Sequence, residues 1–180
     1  VTSERAAARS SAKAERDRAK AAERHTLDDG TDLLAFARRI WALPALRAER
    51  PRGRRFPEIT WRRGHGRWTS GTCWVEQGRV VVTIGAEQYR APEVVIHELV
   101  HTALPSDTHH SRRFWSVLRA VATEAWPEVA FDWQTAPARG WALDDYIQKR
   151  LGPPSARSTI NTTHAGAAPD VSTATGDMIQ

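Results

Sequence analysis

Cysteine and methionine each occur once in the 180 residues, and lysine only at Lys13, Lys20 and Lys149. A single cysteine excludes an intramolecular disulfide framework and a four-cysteine metal site. Cys73 sits among strand-forming residues and reads as a small buried hydrophobe. Apolar runs of about 18 residues are missing, and the N-terminus lacks the apolar core of a signal peptide, so a cytoplasmic protein without membrane contact is expected. No internal repeat, phosphate-binding glycine motif or Ser-His-Asp signature is present. The chain is nonetheless basic, with a net charge of +5 and a sequence pI near 10.1. That balance suits an anionic partner or surface without requiring one.

The stretch Val94-Val95-Ile96-His97-Glu98-Leu99-Val100-His101 contains H-E-x-x-H. Residues i and i+4 of a helix share one face, so His97 and His101 can aim imidazole nitrogens at one cation, with Zn²⁺ the usual choice. Glu98 lies about 100° round the helix, placed to take a proton from metal-activated water without ligating the ion. A shuffled chain of this composition would show the pattern only roughly 0.02 times, so it is not an accident of composition. Pro92 suits the first turn of such a helix, and Leu104-Pro105 its end.

A catalytic zinc usually keeps three protein ligands and one open position. A loop at 105–108 can fold the chain back and offer His109 or His110. Asp107 and Glu124 are lesser candidates. On the helix expected to follow, His110 shares a face with Phe114, Val117, Leu118 and Val121, whereas His109 lies about 100° away. The metzincin spacing H-E-x-x-H-x-x-G-x-x-H does not match.

Three segments, taken together, resemble the SprT-like metalloproteases and their bacterial relatives of the WLM and YgjP type, over roughly residues 56–126. The first is Trp68-Thr69-Ser70-Gly71-Thr72-Cys73-Trp74 followed by Gly78–Ile84, similar to the family's hairpin before the active helix. The second is the H-E-x-x-H segment. The third is His110-Ser111-Arg112-Arg113-Phe114, similar to the family's H-[GS]-x-x-F. The resemblance implies His97, His101 and His110 as zinc ligands and Glu98 as catalytic base. His109 has no counterpart in that pattern, and the four-cysteine zinc ribbon of some members is absent. It also implies a zincin-like α+β domain, a small antiparallel sheet packed on the H-E-x-x-H helix and its successors.

Organisation along the chain follows from composition. Residues 1–24 carry seven basic and four acidic side chains with nothing to bury, and read as a basic arm. Residues 25–152 form the expected domain. It opens with caps at Asp28-Asp29-Gly30-Thr31-Asp32 ahead of a helix through Leu33, Phe36, Ala37, Ile40 and Trp41. Residues 47–67 hold eight arginines against two glutamates, with Trp61 and Trp68 interleaved, a composition found on nucleic-acid surfaces. Ile59–Arg62, Thr72–Val75 and Arg79–Ile84 read as strands, the last with Val80, Val82 and Ile84 on one face. A further helix is expected over 143–151, ended by Gly152-Pro153-Pro154. Residues 153–180 are rich in Ala, Ser, Thr and Gly and read as a disordered tail.

The expected function is therefore a monomeric zinc endopeptidase acting on protein or peptide. DNA contact is expected through residues 1–24 and 47–67, and the family likeness extends to proteases of DNA-crosslinked proteins. Tyr89, Arg112, Arg113 and Tyr146 are candidates for stabilising the oxyanion. Two rivals remain: another H-E-x-x-H hydrolase of deformylase type, and a basic nucleic-acid-binding module with an inert metal site.

Overall fold

Asp32 ends the irregular entry into the domain and starts its first helix. Its carboxylate accepts hydrogen bonds from the amides of Leu34 (2.9 Å) and Ala35 (3.0 Å), donors a helix otherwise leaves open. In the computed structural model, which describes residues 10, 11, 13, 15, 16 and 25–151, this helix α1 spans Leu33–Ala42. It buries Leu33, Ala37, Ile40 and Trp41 along one stripe. Pro44 lacks an amide donor, so it begins a new short helix, α2 (Pro44–Glu49), instead of extending the first. The expected basic arm and C-terminal tail lie outside the described residues, apart from five helical positions between 10 and 16.

Strands β1 (Glu58–Arg63), β2 (Ser70–Trp74) and β3 (Arg79–Ile84) form one sheet in the order β1-β3-β2. β2 and β3 pair antiparallel, as the hairpin signal predicts, through a 3₁₀ turn at Val75–Gln77 closed by Gly78 at a φ of 60°. The expectation of an antiparallel sheet is corrected at β1, which pairs with β3 in parallel. The cause is a short crossover. The Gly64–Thr69 connection passes over the end of β3, where Ala86 donates to the Gly66 carbonyl and Glu87 to that of Arg67. Gly85 permits this crossing, since a Cβ there would overlap the Trp68 carbonyl. Among the described residues, β2 is thereby left as a free edge of the sheet.

Helix α3 (Ala91–Ala103) is buried on nearly every side, as expected for a helix apolar all round. It packs on β2, β3, α1 and helix α4 (Arg112–Ala125). Val80, Val82 and Ile84 meet it from the sheet, joining a core with Ile96, Leu99, Phe114 and Leu118. Burying each such side chain stabilises the fold by roughly 1.5–3 kcal/mol. The last helix, α5, spans Trp141–Leu151, starting two residues before its expected position. The result is an α+β domain of five α-helices and a three-stranded mixed sheet among the described residues. No described helix is long and apolar enough to cross a membrane.

Candidate metal centre

His97 and His101 lie one turn apart on α3. Leu104 leaves the helix in extended conformation before Pro105, and a 3₁₀ turn at Ser106–Thr108 reverses the chain. His109 then takes a positive φ of 37°, a backbone state that side chains seldom adopt. That kink directs the next residue, His110, back to α3. Its Nε2 lies 2.9 Å from His97 Nε2 and 3.0 Å from His101 Nε2. His109 is exposed on the cleft wall and outside the cluster.

One expectation is corrected here. His110 does not sit on the first turn of α4; it precedes the N-cap Ser111, whose hydroxyl accepts from the Phe114 amide at 3.3 Å. Its position comes instead from Trp115. The indole Nε1 donates to the His110 carbonyl at 3.0 Å, and the two rings stack at 15°. Of the lesser candidates, Glu124 accepts from the Ala45 amide at 3.0 Å, remote from the cluster. The side chain of Asp107 lies outside the described part of the structure.

Three imidazoles this close cannot satisfy one another. His110 Nε2 is shared by both contacts and can complete at most one good hydrogen bond as donor or acceptor. Burial first, and then the neighbouring imidazoles His97, His110 and His109, push the His101 pKa down to about 3. That of His110 is lowered too, by partial burial and then by His97. Neutral imidazoles with converging lone pairs are what a metal ion requires. A tetrahedral ion would spread the nitrogens to roughly 3.3 Å, a shift of a few tenths of an ångström. Among the described residues, His97, His101 and His110 form the group of donor atoms close enough to bind a metal ion.

Asp144 of α5 supports this cluster, and sequence reasoning missed it. Its Oδ1 lies 3.7 Å from His97 Nδ1, is buried and has no hydrogen-bond partner. At that distance Asp144 is an electrostatic neighbour of His97, short of the hydrogen bond by which a carboxylate fixes a ligating ring and its tautomer. Arg90 anchors the same helix through Asp145 at 3.0 Å. Nothing in the sequence separates Asp144 from the adjacent acid, because its role depends on how α5 packs.

Glu98 is 7% exposed, on the side of α3 that faces β2. Burial raises its pKa to about 7, opposed by His97 and assisted by Asp144. The carboxyl has room because residue 71 is glycine. A Cβ on Gly71 would lie within 2.7 Å of the Glu98 carboxyl carbon. Gly71→Ala should displace the carboxyl, lowering any Glu98-dependent activity at least about tenfold and stability by about 1–3 kcal/mol, the usual range for overpacking. Steady-state kinetics and thermal melting read both effects. Wild-type values would show that the carboxyl does not need this space.

The same shift has a stability consequence in protein stripped of metal by a chelator. Glu98 holds its proton more tightly folded (about 7) than at its ordinary 4.5. Its contribution is complete below about pH 4.5 and is lost as pH rises through about 7. Chelated wild type should therefore fall behind chelated Glu98→Gln by up to about 3 kcal/mol between pH 5 and 8. Parallel denaturation curves across that range would contradict this.

Behind Glu98, Cys73 of β2 contacts Thr102 of α3, Sγ to Oγ1 at 3.1 Å, and Thr102 donates to the Glu98 carbonyl at 3.0 Å. Cys73 is half-buried, where a fully buried side chain was expected, and that burial pushes its thiol up to about 11. A cleft of about 1410 Å³ opens in front of the imidazoles, bounded by β2 on one side and by Arg139, Trp141 and Asp144 on the other. None of the four oxyanion candidates lines it. Arg113 is paired with Glu49 at 2.7 Å, and the Tyr146 hydroxyl is bound to the backbone of Asp132. The cleft's cations are Arg90 and Arg139. Compared with known proteins, the chain matches no protein-family model, no curated protein and no solved structure.

Proposed function

We propose that the chain is a zinc-dependent endopeptidase of SprT-like character, with Zn²⁺ held by His97, His101 and His110. One observation carries the reading: three imidazole nitrogens converge beside a buried carboxyl, Glu98, in a cleft along a strand edge that is unpaired among the described residues. An all-nitrogen set of three with an open side suits Zn²⁺. When bound, the ion supplies Lewis acidity, lowering the pKa of water to about 7 and polarising a carbonyl.

The chain's own residues do the rest. Glu98 takes a proton from the attacking water and returns it to the leaving amine, work suited to a buried carboxyl beside the imidazoles. Asp144 places a buried carboxylate 3.7 Å behind His97, and Gly71 keeps the space that Glu98 occupies. The outer edge of β2 offers main-chain hydrogen bonds to an extended substrate. An inert structural site has no use for a buried carboxyl beside its ligands, which argues against the nucleic-acid module as the whole function.

A DNA-associated substrate is part of the proposal and rests on charge and on the family likeness. Of the eight arginines in 47–67, Arg50 lies over Trp41, Arg54 and Arg63 donate to backbone carbonyls, and Arg67 pairs with Glu87. DNA contact there falls to Arg47, Arg52, Arg55 and Arg62. The test is zinc analysis of the purified protein with casein or histone degradation, with and without single-stranded DNA. About one zinc per chain and cleavage stopped by a chelator are expected. Protein that cleaves with its zinc removed would overturn the reading.

A further inference from the structure

Trp68, Trp74 and Trp141 are 61%, 42% and 79% exposed, the exposed large apolar side chains among the described residues. All three line the cleft that holds the imidazole cluster. Indoles left in water around one cleft mark a surface that gains by being covered.

Their spacing is informative. Gly71, whose backbone abuts the Glu98 carboxyl, marks the reaction centre along β2. Trp74, the last residue of β2, stands three residues from it, about 10 Å at the usual rise of a strand. Trp68 stands three residues to the other side, two residues before the strand begins. Guanidiniums back both indoles, Arg67 at 5.1 Å from the Trp68 ring and Arg79 at 5.8 Å from that of Trp74. Across the cleft, Trp141 opens α5 and stands three residues before Asp144, on the same helical face.

The strand edge decides what kind of chain fits. The cleft is lined by both signs of charge, Glu76, Glu93, Glu98 and Asp144 with Arg90 and Arg139, beside the imidazoles of His97, His101, His109 and His110. These side chains favour neither a polyanion nor a polycation. The outer edge of β2, unpaired among the described residues, offers amides and carbonyls that match an extended polypeptide backbone.

We infer that the cleft selects extended polypeptide segments with a large apolar or aromatic side chain about three residues to either side of the bond facing Glu98. Trp68 and Trp74 receive those side chains, and Trp141 closes the opposite wall. The inference rests on the protease reading of the same site and adds its substrate class.

Two experiments test it. In the first, zinc-loaded wild type digests a library of random twelve-residue peptides. Products should be enriched in Phe, Tyr, Trp and Leu about three residues before and after the cut. Trp68→Ala and Trp74→Ala should each flatten one side and raise KM for a matched peptide about tenfold, with kcat nearly unchanged, as for lost uniform binding. Cleavage with a flat profile overturns the inference and leaves the protease reading standing.

The second experiment needs no hydrolysis. Zinc-loaded Glu98→Gln is titrated with a Phe-containing dodecapeptide, its Ser-substituted twin and an oligo-dT of similar length, following indole fluorescence. The Phe peptide should bind about tenfold tighter than its twin, an advantage of about 1.4 kcal/mol, lost in the added Trp68→Ala and Trp74→Ala changes. Equal affinities, or oligo-dT binding that depends on the same tryptophans, overturns the inference. Aromatic preference here without cleavage by wild type would instead count against the protease reading alone.

Discussion

Glu98→Gln should cut peptide hydrolysis at least about 10²-fold while the protein keeps its zinc and its fold. The amide matches the carboxyl in shape, so the space left by Gly71 still fits it and the contact with β2 is kept. What it loses is basicity. A carboxylate can accept a proton from water and give it up again; an amide can do neither. Glu98 is also remote from the converging nitrogens in role, since His97, His101 and His110 make up the donor set. Metal content measured beside kcat separates the effects: zinc retained with activity lost is expected, and near-wild-type hydrolysis would end the proposal.

His110→Ala should release the metal and abolish hydrolysis, whereas His109→Ala should keep the metal and much of the activity. The geometry behind this contrast is strong. His110 Nε2 is the atom that touches both other imidazoles, at 2.9 and 3.0 Å, so its removal leaves two ligands on one helix. Two imidazoles hold zinc far more weakly than three. His109 is not among the donor residues, but its backbone provides the kink that turns His110 inward. A His109→Gly variant, which relieves the positive φ, should therefore bind metal at least as well as wild type. Zinc stoichiometry of the three variants is the measurement. Metal lost from His109→Ala and kept in His110→Ala would reverse the ligand assignment.

The helices that build the site were legible because each is written in a strong local pattern. Pro92, the apolar filling of α3 and the Leu104-Pro105 stop define the ligand helix, and the stripe of Phe114, Val117, Leu118 and Val121 defines its partner. The position of β3 followed from its β-branched run after a glycine turn, whereas β2 begins two residues before its expected start and gives Val75 to the 3₁₀ turn. What did not follow was any fact depending on the order of the strands. A short run such as β1 carries no mark of which neighbour it will join, so its parallel pairing emerged only with the crossover beside Gly85. Asp144 was hidden for the same reason, since its value comes from α5 packing near His97. Gly71 was readable as part of a motif but not as the vacancy into which Glu98 fits.

The sulfur of Cys73 sits on the seam between β2 and α3 and, half-buried, also lines the cleft. Burial holds its pKa at about 11, so alkylating reagents meet mostly the unreactive thiol at neutral pH. A polypeptide laid along β2 would cover the sulfur, and slower alkylation of the lone thiol would then report that the cleft is filled.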